Sequence, residues 1–266
     1  MKATLVMEKT GWVTSAMEMN DMQARVLKIQ ASWQARQDVM KQNEDIRQES
    51  NKAEEEKRRD ARVNEFLQGV PSLYQGKTFN DFQIDYPDQA RIKKTAERYV
   101  ETFADRLKNG NALKFSGGTG TGKTLLALIM YQALAKSGFK VRYKSSVAFL
   151  RDLHDKNFES NAAFERVLED YSNIHFLILD EVTEGFSGKN GMLSEWEKKM
   201  LFTLIDMRYS KNLCTLVISN RSLSEMTERI GLTTYDRLTE KGLSLIFNWD
   251  SYRTKTKEKN NVKAQA

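Results

Sequence analysis

The sequence predicts an α/β protein: a mostly parallel sheet covered by helices, preceded by a small all-helical N-terminal domain. Three observations lead there. After Pro87, short apolar runs alternate with helical patterns, as expected for strands joined by crossover helices. One strand–helix junction is the glycine-rich segment GGTGTGKT, residues 117–124. Ahead of it, residues 12–68 contain neither glycine nor proline, so no helix breaker interrupts them.

The elements follow in order. Residues 1–68 read as a helical arm. Ala16, Met19, Met22, Val26, Ile29 and Trp33 are spaced by three and four, which gathers them on one helix face. Residues 41–65 hold 15 charged side chains in 25 and read as an exposed helix. An isolated helix cannot bury its own apolar stripe, so the arm calls for a partner: another helix, a sister copy or a different protein. The competing reading is a solvated helix with no task. Gly69, Pro71, Gly76 and Pro87 mark residues 69–88 as a linker and lead-in. Residues 89–254 then form the α/β domain. Helices are expected over 92–107, 124–136, 147–156, 162–171, 194–210 and 223–230. Strands are expected over 112–115, 141–144, 176–179, 215–219 and 243–249. Residues 255–266 read as a basic tail.

Composition excludes several classes. The chain has 266 residues, one cysteine and two histidines. Cys214 alone can form neither an internal disulfide nor a zinc cluster, and His154 and His175 have no cysteine near them. The start, MKATLVMEKTGW, lacks the apolar core of a secretory signal, and no apolar run approaches the ~20 residues that span a bilayer. The expected compartment is the cytoplasm, with no membrane partner. The net charge is +6. Residues 1–68 carry no net charge, 69–250 carry +2 and 251–266 carry +4, so the basic excess is mostly the tail. A tail of that kind gives a salt-sensitive, non-specific grip on nucleic acid.

Three motifs carry chemistry. Gly117, Gly118, Thr119, Gly120, Thr121, Gly122, Lys123 and Thr124 fit G-x-x-x-x-G-K-[ST] between a strand and an apolar helix. Glycines let backbone N–H groups curl around phosphate oxygens, and the helix start points its free N–H groups at the anion. Lys123 reaches the β- and γ-phosphates of ATP, and the Thr124 hydroxyl ligates Mg²⁺. FLILDE, residues 176–181, is a buried strand ending in acid. Asp180 completes the Mg²⁺ shell, and Glu181 polarises a water for attack on the γ-phosphate. LVISNR, residues 216–221, ends a third strand at Asn220, whose amide orients that water.

These motifs in this order, followed by YDRL (235–238) and IFNWDSYR (246–253), resemble the AAA+ ATPase domain of the DnaC-type replicative helicase loaders. The resemblance covers roughly residues 66–257. The N-terminal arm resembles the family in kind only. Such loaders bind the hexameric replicative helicase through the N-terminal domain. Their ATPase domains self-associate side by side, bind single-stranded DNA with ATP and help place the helicase on it. The resemblance implies Asn220 as first sensor, Arg237 as the arginine finger acting on a neighbour's γ-phosphate, and Arg253 as second sensor. Arg208, Arg221 and Arg229 compete for the finger, and Arg253 is also readable as the start of the basic tail. It also implies DNA contacts at Ser194 and Trp196, with Lys156 and Phe158 as further candidates; Trp196 is equally readable as core packing.

Two departures stand out. The stretch TEGFSGKNGML (183–193) is long and glycine-containing and reads as a flexible loop. No full helical lid follows the last strand, which implies closure by a neighbour or the helicase and weak ATPase activity in the isolated chain. The alternatives are a transposition-helper AAA+ ATPase, an ATP-switched adaptor and a P-loop kinase.

Overall fold

Strands buried along their whole length belong at the centre of a sheet, and FLILD (176–180) and CTLVIS (214–219) are buried in this way. The computed structural model describes residues 16–254; residues 1–15 and the basic tail at 255–266 lie outside the described residues. The chain divides into two units, Met1–Arg58 and Arg59–Ala266. That division falls within one helix, α1 (Ala16–Gln68), before the boundary expected at residue 68.

In α1, Val26, Ile29 and Trp33 of the apolar stripe are exposed. The stripe's side chains at Ala16, Met19 and Met22 lie outside those described. Leu27, Val39, Met40 and Ile46 are exposed too. Arg25 pairs with Asp21 one turn away at 3.0 Å, and Gln34 donates to Asp38 at 3.3 Å. Contacts of this kind stabilise an exposed helix weakly.

In the second unit, strands β1 (Leu113–Gly117), β2 (Val141–Ser145), β3 (Phe176–Asp180), β4 (Cys214–Ser219) and β5 (Leu243–Phe247) make one sheet in the order β2-β3-β4-β1-β5. Every pairing is parallel. The helices are α2 (Pro87–Glu101), α3 (Phe103–Asn109), α4 (Lys123–Lys136), α5 (Ser146–Glu159), α6 (Asn161–Ser172), α7 (Glu195–Ser210), α8 (Leu223–Ile230) and α9 (Leu232–Glu240).

The period of two along each strand feeds two core layers. Phe115, Phe176, Ile178 and Leu216 join Tyr99, Phe103 and Leu126 from α2, α3 and α4. Leu177, Leu179 and Val217 join Phe149, Leu168, Leu201 and Leu238 from α5, α6, α7 and α9. Truncating a ring such as Phe176, which is fully buried, costs roughly 3–5 kcal/mol. Two cations are buried in the second layer's frame. Lys114 of β1 donates to Leu238 O and Thr239 Oγ1, both at 3.0 Å, at the end of α9. Burial lowers its pKa to about 8. Arg208 is fully buried and donates to Thr215 Oγ1, Tyr171 O, Ile174 O and Cys214 O.

Three expectations change. Residues 69–88 are no loose linker. Val70 and Phe82 are buried, Tyr74 and Phe79 pack on the first core layer, and Gln132 of α4 bonds to Tyr74 O and Gly76 N. Pro71 caps a short 3-10 helix, Gly76 makes a turn at φ 73° and Pro87 opens α2, while apolar side chains between them pack on the first core layer. The single helix expected over 92–107 is two, α2 and α3, separated at Thr102. The stretch 183–193 is held in place rather than loose. Buried Glu197 accepts from Phe186 N at 2.8 Å, Ser187 N at 3.3 Å and Ser194 N at 2.7 Å, which hold its pKa down against desolvation. Among the described residues no helix is long and apolar enough to cross a membrane.

Candidate functional site

A parallel sheet gathers the carboxyl ends of its strands on one edge, and loops leaving that edge meet in a crevice. Here β1, β3 and β4 lie side by side, so the segments after Gly117, Asp180 and Ser219 converge. The result is a cleft of about 370 Å³. It is lined by Thr119, Gly120, Gly122, Lys123 and Thr124 from the glycine-rich loop, by Asp180 and Glu181, and by Asn220 and Arg253. Residues from four separate motifs therefore face one space.

The loop's shape follows from its sequence. β1 runs beside β5, and a Cβ on Gly117 would lie 2.1 Å from Phe247 O. Only glycine lets the strands end so close. α4 starts at Lys123 after Gly122, whose φ of 94° is left-handed. Lys123 is buried and folds back on its own loop, donating to Gly117 O at 2.7 Å and Gly118 O at 2.6 Å. Burial lowers its pKa to about 8; Asp180 opposes that shift and Arg253 adds to it.

Asp180 is buried at the end of β3. Its Oδ2 accepts from Thr124 Oγ1 at 2.9 Å and from Tyr143 OH at 3.0 Å, and its Oδ1 accepts from Glu181 N at 2.9 Å. Burial and the Asp180 charge push the Tyr143 phenol well above its usual range, so it stays a donor. One carboxylate and one hydroxyl are a partial set of hard oxygen ligands, suited to Mg²⁺ when substrate phosphates complete the shell. Consistent with that division, no group of three or more His, Cys, Asp or Glu side chains gathers as a metal cage among the described residues.

Glu181 has φ 57°, a left-handed backbone that costs a non-glycine residue about 1–2 kcal/mol. Desolvation raises its carboxyl pKa, and the charges of Asp180 and Glu184 raise it further, against a hydrogen bond with Ser145. A carboxylate raised in this way is a better proton acceptor.

The arginines separate by burial. Arg208 is fully enclosed in backbone carbonyls and cannot reach a neighbour. Arg229 donates to Thr183 O at 3.2 Å and lies 3.7 Å from Glu184, with Arg221 3.6 Å from the same carboxylate. Arg237, on α9, does not line the cleft of its own chain. It is partly exposed, 2.9 Å from Asp206 and over the Tyr209 ring at 4.7 Å.

Of the four residues singled out for nucleic acid, Trp196 and Phe158 meet at one ring, His154. Trp196 and Phe158 both stand edge-on to His154, at 5.6 and 4.9 Å between centroids, with Phe186 at 5.6 Å. Phe158 is 76% exposed, whereas Trp196 is half-buried against the core. Ser194 caps α7 by accepting from Glu197 N, and Lys156 pairs with Glu159. His154, Phe186 and Arg151, which lies over Phe186 at 5.6 Å, are additions that only the structure reveals.

Comparisons with known proteins give the family and the fold. The family described as IstB-like ATP binding protein matches residues 20–260. The replicative helicase loader DnaC of Escherichia coli (strain K12) is 30% identical over 188 residues, covering 70% of this chain and 73% of that protein. The crystal structure of the DnaC helicase loader superposes with a TM-score of 0.59 at 22% identity, over 66% of this chain and 99% of that one. The replication initiator DnaA bound to AMPPCP and single-stranded DNA gives a TM-score of 0.56 at 18% identity, over 68% of this chain and 51% of that one. The last two likenesses establish the fold.

Proposed function

This chain belongs to the family of IstB-like ATP binding proteins, and from that premise we propose that it is a DnaC-like loader. In this reading it binds the replicative DNA helicase, places it on single-stranded DNA, and uses ATP binding and hydrolysis to switch between holding and release. The observation that carries it is the convergence of Lys123, Thr124, Asp180, Glu181, Asn220 and Arg253 on one cleft, in a chain 30% identical to a helicase loader.

The residues divide the work. The loop N–H groups of Gly117–Gly122 and the start of α4 bind phosphate oxygens, and Lys123 leaves its loop carbonyls for the β- and γ-phosphates. Thr124 and Asp180 hold Mg²⁺, which when bound neutralises charge on the transferring phosphoryl group. Glu181 takes a proton from the water that attacks the γ-phosphorus, and the Asn220 amide orients that water. Arg253 adds positive charge at the cleft. Arg237 acts on the cleft of a neighbouring copy, so hydrolysis depends on assembly. To do so its guanidinium leaves Asp206.

Trp196 and Phe158 stack on bases of single-stranded DNA beside Arg151 and Lys156. The helical arm, residues 1–68, docks on the hexameric helicase. The site of action is the cytoplasm. The deciding experiment is size-exclusion chromatography of the full chain with the cognate replicative helicase, with and without ATP. Co-elution that changes with ATP is expected. Absence of any complex argues for the transposition-helper reading, and a complex indifferent to ATP argues against the switch.

A further inference from the structure

The cleft has two ends of different chemistry. Lys123, Thr124 and Asp180 make a phosphate end. The other end is lined by Tyr74, Asp81, Phe82 and Gln83 of the lead-in, by Leu125 and by Tyr252. Aromatic and aliphatic walls with one amide and one carboxylate suit a planar base, apolar on its faces and carrying hydrogen-bonding groups on its edges.

The segment after β5 ties these parts together. The Trp249 indole donates to Thr121 O at 3.0 Å, and Tyr252 N donates to Gly120 O at 3.0 Å. Both contacts seat the segment on the phosphate loop. The Tyr252 hydroxyl then donates to Gln83 O at 2.9 Å, across 169 residues of sequence. Packing at the seat is close: a Cβ on Gly120 would lie 2.1 Å from Ser251 Oγ. The glycine therefore serves this segment as well as the phosphates.

We infer that residues 249–253 are a strap that holds the lead-in wall against the phosphate loop, and that Tyr252 is the positioning residue that sets the base end of the nucleotide site. The inference rests on the proposed ATP binding. The wall touches a base and not a triphosphate, so the strap acts on ATP affinity and leaves binding of the bare triphosphate alone.

The test is isothermal titration of the full chain with Mg²⁺·ATP and, separately, with inorganic tripolyphosphate. Tyr252→Phe keeps the ring and removes the hydroxyl. It is expected to raise the ATP Kd about fivefold, or ~1 kcal/mol, the usual net worth of one neutral hydrogen bond. Tripolyphosphate affinity stays within about twofold, less than that bond is worth. Tyr252→Ala gives a larger loss with the same split, and unchanged nucleotide-free melting of both variants shows that they fold. Equal losses for both ligands would overturn the inference, since they indicate a loosened phosphate loop. So would an unchanged ATP Kd in both variants. A wild-type chain that binds neither ligand overturns the nucleotide reading itself, whereas a wild type that binds both beside unaffected variants overturns only the strap.

Discussion

Lys123 gives the sharpest test of the nucleotide site, because its burial makes ATP affinity depend on pH. Its pKa falls from 10.5 to about 8, chiefly through desolvation. In the nucleotide-free protein it binds fewer protons folded than unfolded between pH 8 and 10.5. The empty protein therefore gains stability as pH rises through that window, and Lys114 contributes in the same direction. Nucleotide binding runs the other way, since phosphate oxygens favour the charged ammonium. With a pKa of about 8, roughly nine-tenths of the sites are charged at pH 7 and one-tenth at pH 9. If only the charged form binds ATP, the apparent Kd rises about tenfold between those pH values. At pH 8 each binding event takes up about half a proton. Titration calorimetry in buffers of different ionisation enthalpy measures both quantities. Lys123→Arg supplies a cation that does not titrate in this range and is expected to flatten the profile. A wild-type Kd that is constant from pH 7 to 9, or an equal slope in Lys123→Arg, refutes the reasoning.

Three further outcomes are expected. Glu181→Gln and Arg237→Ala should each retain ATP binding and lose hydrolysis by at least ~10²-fold. A one-to-one mixture of the two should recover about a quarter of wild-type phosphate release, since one interface in four joins an intact Glu181 to an intact Arg237; no recovery would deny the finger its action in trans. Arg208→Leu leaves three buried acceptors and one part-buried acceptor without their donor, at ~1–3 kcal/mol for each buried one, so circular dichroism should find it largely unfolded. Trp196→Ala and Phe158→Ala should each weaken single-stranded DNA binding by ~1–3 kcal/mol in fluorescence anisotropy, with little dependence on base sequence. An effect confined to thermal stability would return Trp196 to core packing.

Much of the fold is legible in the sequence, for reasons visible in single elements. FLILD announces β3 because a strand buried on both faces tolerates no polar interruption until it reaches the site. GGTGTGKT is legible because its constraints are local: glycines where N–H groups must curl, then a helix start. The eight-residue α8 is bounded by a serine cap and Gly231, both readable beforehand. Helix α9 is less visible. It is short, and its sequence LTTYDRLTE includes three threonines with poor helix propensity. Its C-terminal carbonyl at Leu238 is satisfied by Lys114, more than a hundred residues away.

By itself, the sequence determined the order of the five strands and of most helices along the chain, the phosphate loop, the acidic strand end at Asp180 and Glu181, and the polar end at Asn220. Each depends on neighbours in the chain, through strand or helix period and backbone freedom. Tertiary structure alone decided whether residues 69–88 were a linker or a wall, which arginine is enclosed and which is available, and what covers the base end of the cleft. Those outcomes depend on partners distant in sequence: Gln132 with Tyr74, Arg208 with Tyr171, Tyr252 with Gln83. A hydrogen bond across 169 residues leaves no periodicity in the chain, because what selects it is the position of two backbones after the sheet has formed.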